Sequence, residues 1–342
     1  MHRFHEKKDV VWELGTDRYL KVSSSPFVRS SSNIRKIMLC VIIALLPSLI
    51  SSCYFFGTRA LCLSLVCVAS CCLFQFLCDL LHKRAKSSLG DLSCVVTGLL
   101  LALNVPVTLP YWIAVLGSGI CIVIAKEVFG GIGYNIFNPA LVGRVFLLIC
   151  FPAIMSNFGE CVVDGISGPT PLTILKVEGI SALSNFEIYK AFSGQILGSI
   201  GETSALAILV GGIFLVICKC IRLVIPLSFI LSFLAISTLN FYLNPTLSDF
   251  TGFNFCSCPL LGYLSFHVLT GGLLLGAFFM ATDMVTSPVT WKGKLLFGIG
   301  CGVLTAIIRL YGSYPEGVSF AILIMNSLVP LIDRFCLRKY QV

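Results

Sequence analysis

The chain has 342 residues, 57% of them hydrophobic and only 12% charged, with a net charge of +8. Water-soluble domains carry about 25% charged residues, so this composition excludes an ordinary soluble enzyme. The basic surplus sits in short segments between apolar runs, which fits membrane topology and not a nucleic-acid surface.

The first 36 residues are polar and basic without an apolar leader core, and read as a cytoplasmic arm. Residues 37–342 read as a polytopic membrane domain. Ten apolar segments are predicted, over about 37–56, 60–81, 92–106, 110–126, 137–154, 197–218, 222–242, 259–281, 294–311 and 317–335. Roughly 20 apolar residues cross a bilayer as a helix, so the expected fold is an all-α integral membrane protein of about ten crossings. The third and fifth segments are short or broken by Gly and Pro, with Gly130-Gly131 and Asn138-Pro139 flanking the fifth. With the N-terminus inside, 19 of the 24 Lys and Arg fall on the inner side, and the outer loops hold only Arg59, Lys176 and Lys190. The positive-inside rule therefore puts both termini in the cytoplasm and the long 155–196 connection outside.

Val95–Leu103 reads VVTGLLLAL and Val268–Gly276 reads VLTGGLLLG. The two stretches lie five crossings apart, so they run in opposite directions. That pattern predicts a 5+5 inverted repeat with interrupted helices, whose functional sites lie near the repeat interface. The 17 cysteines include no Cys-x-x-Cys pair, and most sit in apolar runs as small hydrophobes. Cys161, Cys256 and Cys258 fall in loops; unpaired cysteines are favoured there over a bridge or a metal site.

Polar residues at membrane depth are costly and usually face a cavity or a partner. Asn135 and Asn138 precede Pro139, where they would either line a site or cap the following helix. Arg144 and Arg309 fall inside apolar segments and need partners, although Arg309 is close enough to a helix end to snorkel. Asp91 and Glu202 suit helix N-termini, and together with Glu127 they would also suit an ion path. His267 reads as a satisfied core histidine, and Asp283 opens an inner loop.

The outer connection contains Asp164-Gly165-Ile166-Ser167-Gly168-Pro169-Thr170. By composition it is a turn. It also suits a modification acceptor, with Ser167 and Gly168 giving a pliable backbone, Thr170 a hydroxyl and Asp164 an acid to assist a metal-dependent transfer.

These motifs together carry a family likeness. The stretch from Ser24-Ser25-Pro26 to Met38, Ala44-Leu45-Leu46-Pro47, Asn135-Ile136-Phe137-Asn138-Pro139-Ala140, Val142-Gly143-Arg144, Gly201-Glu202-Thr203-Ser204 and Met280-Ala281-Thr282-Asp283 resemble signatures of one family. That family holds the membrane-embedded D subunit of the Rnf electron-transport complex and the B subunit of the sodium-pumping NADH:quinone reductase. The Asp164–Thr170 run is similar to its flavinylation site. The resemblance implies that Thr170 carries FMN through the phosphate, with Asp164, Ser167 and Gly168 completing the motif. It implies a second, non-covalent riboflavin near Asn135 and Asn138, with Arg144 and Arg309 as further flavin contacts. The family has alanine where this chain has Pro169. Proline fixes φ near about −65° and removes an N–H, so it either stiffens the acceptor loop or blocks it.

The same resemblance implies a bacterial inner-membrane protein that passes electrons through these flavins, coupled to Na+ or H+ movement. The chain has neither a nucleotide-binding fingerprint nor an Fe–S cysteine pattern, so it is not catalytic alone. It requires the other Rnf subunits, including an FMN-carrying one, and a flavin transferase for maturation. The short N-terminal arm favours the Rnf protein over its quinone-reductase counterpart. A solute channel or permease of similar inverted-repeat fold is the alternative from another class, and would have no use for the Asp164–Thr170 run.

Overall fold

The computed structural model describes residues 11–14, 18–21, 33–82, 88–158, 170–177, 188–244, 259–312, 314 and 316–336. Two short strands, β1 (Val11–Leu14) and β2 (Arg18–Lys21), pair antiparallel with Val11 opposite Lys21. This hairpin departs from the all-α expectation; β-branched and aromatic residues in the two strands favour it locally.

The rest of the described chain is helical. α1 (Ile34–Phe56) and α2 (Thr58–Leu81) are long and apolar. A 3-10 turn at Ser88–Asp91 leads into α3 (Ser93–Leu103). α4 (Tyr111–Gly119) continues as a π-helix over Ile120–Glu127, and α5 (Pro139–Cys150) is followed by the short α6 (Pro152–Met155). Two short helices follow, α7 (Pro171–Val177) and α8 (Ile188–Ser193), and then α9 (Ala205–Ile217) and α10 (Val224–Leu243). α11 (Pro259–Leu269) is separated by three residues from α12 (Leu273–Leu275), which runs on as a π-helix over Gly276–Met280. α13 (Trp291–Tyr311) and α14 (Val318–Cys336) complete the bundle.

Among the described residues, α1, α2, α10, α13 and α14 are long and apolar enough to span a membrane, and α11 with α12 forms a sixth candidate bent by 61°. The chain is therefore a helical, multi-pass membrane protein. α3, α5 and α9 are apolar but shorter than a full crossing. They occupy only parts of the predicted 92–106, 137–154 and 197–218 segments. The reason is local: Asn138 and Ser204 cap α5 and α9 through their side chains, and Pro139 occupies the first turn of α5.

Lipid tails are as apolar as leucine, so helix association depends on close packing and internal hydrogen bonds. α10 and α13 meet through small residues: a Cβ on Gly298 would collide with Ser228 Oγ, and one on Gly302 with Ser232 Oγ and the Phe229 carbonyl. Broken helix ends inside the bundle need partners for their backbone groups. Beyond the end of α3 the carbonyls of Leu103 and Val105 accept from the N–H groups of Gly201 (2.7 Å) and Ile200 (3.1 Å). Ser48 and Ser52 of α1 donate to the carbonyls of Gly201 and Ile200 in turn. The α11–α12 break turns through Gly271 and Gly272, at φ 73° and 66°, a left-handed conformation glycine adopts without steric cost. The two similar Thr-Gly stretches thus differ: the first is continuous α3, and the second contains the break.

Candidate functional site

Thr170 is buried at the start of α7, where Pro171 holds the first helical position. Its hydroxyl lies 2.9 Å from Thr173 Oγ and accepts from the Thr173 N–H at 3.3 Å, so it caps the helix. Leu172 anchors the turn against Tyr263 and Phe266. Thr170 borders a small cavity together with Glu202, Thr270, Gly271 and Glu316. Thr173 borders a second, larger one whose polar lining includes Asn104, Arg144, Glu316 and Ser319. Asp164, Ser167, Gly168 and Pro169 lie outside the described residues, as do Cys161, Cys256 and Cys258.

Glu316 borders both cavities, and Arg144 borders the second. Its Nη1 donates to Asn104 Oδ1 (3.0 Å) and Ser319 Oγ (2.9 Å), and its Nη2 to Glu202 Oε1 at 3.3 Å and to Glu316 Oε2. All these groups are largely buried, so the guanidinium holds two carboxylates in place and is held by them. The partner that Arg144 requires at membrane depth is thus an acidic pair. Glu202, expected to serve a helix dipole, turns its carboxylate to Arg144 instead. Glu316 escapes sequence reasoning; its one signal is an acid in the short connection between two apolar segments.

Arg309 takes no part in this cluster. It is 4% exposed and does not snorkel. It donates to the His267 carbonyl (2.6 Å) and the Gly271 carbonyl (2.9 Å), satisfying the end of α11 at the break, and lies 5.1 Å from the Phe233 ring centroid. His267 is buried as expected but not satisfied: neither ring nitrogen has a hydrogen-bond partner among the described residues.

A separate cleft is bordered by Asn135, Asn138, Lys126, Ser93, Thr282 and Asp283. Asn138 accepts from the Ala140 N–H (3.1 Å) and donates to the Met280 carbonyl (3.2 Å), tying the start of α5 to the end of the second π-helix. Asn135 donates to the Phe137 carbonyl at 3.2 Å. The capping role expected of Asn138 is therefore present, and both amides also border the cleft. Lys126, which the sequence offers only as an inner-side charge, donates to Gln75 Oε1 (2.8 Å) and Ser93 Oγ (2.7 Å). α3 joins the two regions, with Ser93 at the cleft and Asn104, just past its other end, at Arg144. At about 1.5 Å per residue they are about 16 Å apart.

Comparison with known proteins agrees over the whole bundle. The profile of the NQR2, RnfD, RnfE family matches residues 21–341. The D subunit of the Na(+)-translocating ferredoxin:NAD(+) oxidoreductase complex of Acetobacterium woodii is 43% identical over 318 residues, covering 92% of this chain and 93% of that protein. The D subunit of the ion-translocating oxidoreductase complex of Stutzerimonas stutzeri is 41% identical, covering 89% and 91%. The D subunit of the proton-translocating ferredoxin:NAD(+) oxidoreductase complex of Clostridium ljungdahlii is 39% identical, covering 92% and 93%. A match that takes in the Arg144 cluster, the Asn138 cleft and the interrupted helices alike means that the chain belongs to the NQR2, RnfD, RnfE family.

Proposed function

We propose that this chain is the D subunit of an Rnf-type, ion-translocating ferredoxin:NAD oxidoreductase, and that it carries FMN covalently through the phosphate on Thr170. The observation that carries the assignment is the place of Thr170. A motif threonine borders the same cavity as Glu202 and Glu316, the two carboxylates that Arg144 pairs. Its hydroxyl bonds only to Thr173 of its own turn among the described residues. These residues fit the group: an acceptor hydroxyl, a neighbouring cavity and a fixed guanidinium in that cavity's wall. When bound, the flavin supplies one- and two-electron carriage, which belongs to the cofactor. The chain's part is to hold it: α7 sets the threonine, and the Arg144 guanidinium, fixed by Asn104, Ser319, Glu202 and Glu316, gives the neighbouring wall a rigid polar network.

The cleft beside Asn135 and Asn138 takes a second, non-covalent flavin in this reading. Its mixed apolar and amide lining supports that. The protein lies in the bacterial inner membrane with both termini inside and Thr170 outside, on the strength of the basic-residue count. The ten-crossing inverted repeat is supported by the opposed Thr-Gly stretches and by the broken α11–α12 pair. The relatives named above are D subunits, which supports the Rnf assignment over the quinone-reductase one. Their names give both Na+ and H+ as the translocated ion, so the likeness does not choose between them. The Rnf partner subunits and a flavin transferase complete the system.

The test is ultraviolet fluorescence of the denatured chain after electrophoresis. The wild type and Thr170→Ser should glow, and Thr170→Ala should be dark while still inserting in the membrane. A Thr170→Ala band that still fluoresces refutes the covalent site. Loss of the cap costs about 1 kcal/mol, too little to explain a dark band by misfolding.

A further inference from the structure

We infer that Lys126 is the charged anchor of the cleft beside Asn138, presenting an uncommitted ammonium hydrogen to the carbonyl edge of the planar redox ring bound there. The inference rests on the second-flavin reading above and assigns the group that tunes it.

An ammonium buried at membrane depth is costly unless compensated. Lys126 is 3% exposed, yet among the described residues it makes no salt bridge. Both of its hydrogen-bond acceptors are neutral, Gln75 Oε1 and Ser93 Oγ. An ammonium has three donors, so one remains. The neighbouring carboxylates are engaged by the same amide: Gln75 donates to Glu127 Oε1 at 2.8 Å and lies 3.4 Å from Asp79 Oδ1. Gln75 thus orients the lysine and holds the acids behind it.

The backbone helps to set this arrangement. The last turns of α4 are π-helical over Ile120–Glu127, and Lys126 and Glu127 are both buried there. π-bulges are frequent at functional sites. Lys126 and Ser93 border the cleft, while Val96, Leu100 and Phe279 give it apolar walls. Asn138 has its oxygen and one amide hydrogen committed to backbone. Lys126 is the one cation among the described residues bordering the space, with Asp283 its one carboxyl.

A cation held in an apolar wall prefers a ligand whose facing edge is electron-rich, and holds it more tightly after it gains an electron. The isoalloxazine ring has such an edge at its pyrimidine carbonyls. A charge at contact distance in partly dehydrated surroundings favours the reduced ring by roughly tenfold or more.

The experiment uses the assembled complex, with flavin counted by acid extraction and mass spectrometry and the extractable flavin titrated for its midpoint potential. Lys126→Arg should keep both occupancy and potential near wild type. Lys126→Gln should move the potential negative by about 59 mV or more per tenfold for one electron, or lose the flavin that Lys126→Arg retains. Unchanged occupancy and potential in Lys126→Gln overturn the assignment. If Lys126→Gln fails to assemble, Ser93→Ala keeps the cation but frees one anchor, and should give a smaller shift of the same sign; no shift there also overturns it. A wild-type complex without extractable flavin defeats the second-flavin reading itself, and is recognised before any variant is made.

Discussion

Removing the Arg144 guanidinium tests the Arg144–Glu202–Glu316 cluster most directly. In Arg144→Met the carboxylates of Glu202 and Glu316 are left without their shared counter-charge. Arg144 Nη2 stands 3.3 Å from Glu202 Oε1. At an effective dielectric of about 20, that separation corresponds to about 5 kcal/mol of attraction. Breaking one member out of a buried pair typically costs about 3–5 kcal/mol. Asn104 Oδ1 and Ser319 Oγ lose a donor as well. The assembled complex in detergent should therefore melt on the order of 5–10 °C lower, by differential scanning fluorimetry. The cause is charge and not volume, because methionine fills similar space. Adding Glu202→Gln and Glu316→Gln to Arg144→Met should recover most of the loss. An Arg144→Met complex that melts with the wild type, or a triple variant no better than the single one, would refute the electrostatic account.

Other consequences follow from the packing, the loops and the topology. Gly302→Leu should destabilise the complex by at least about 1–3 kcal/mol, seen as a lower Tm or lost assembly, because a Cβ already collides with α10; a wild-type Tm would mean α10 and α13 do not meet there. Burial raises the Asp283 carboxyl above its ordinary range, against hydrogen bonds from Thr286 and from backbone that lower it. A raised folded-state value means that its protonated form is favoured, so its contribution is present at acid pH and is lost as pH rises through that value. Asp283→Asn should therefore gain stability at neutral pH and lose that advantage in acid, with Tm measured across the range; a gain independent of pH would contradict this. In intact cells an impermeant amine reagent should modify Lys176 and spare Lys292. Burial, then Arg309, lowers the Lys176 ammonium, which raises its share of reactive amine. The reverse labelling would overturn the proposed orientation.

The parts of this molecule that depend on neighbours in sequence are legible without the fold. Runs of apolar residues mark the membrane segments. Asn138-Pro139 and Ser204 mark helix starts, because a cap and the helix it closes are a few residues apart. The break at Gly271–Gly272 is not legible in this way: the 259–281 stretch reads as one apolar segment, and the left-handed backbone there is seen only in the structure. Hydropathy overestimates the lengths of α3, α5 and α9, because it continues past the point where hydrogen bonding ends a helix.

What neighbours in sequence do not specify, the tertiary structure decided. Arg144 meets Glu202 across 58 residues and Glu316 across 172, and the bare chain offers no reason to join them. Arg309 looks equally charged and equally buried, yet it serves a backbone break 38 residues away at Gly271. Lys126 is one basic residue among many until Gln75, 51 residues distant, fixes its direction. A charge in a low-dielectric interior acquires its role from whatever the fold places within a few ångströms. Hydropathy and capping depend on the chain itself, so the sequence determined a multi-pass membrane protein with interrupted helices, and only the packing of those helices decided which buried charges compensate one another and which one faces open space.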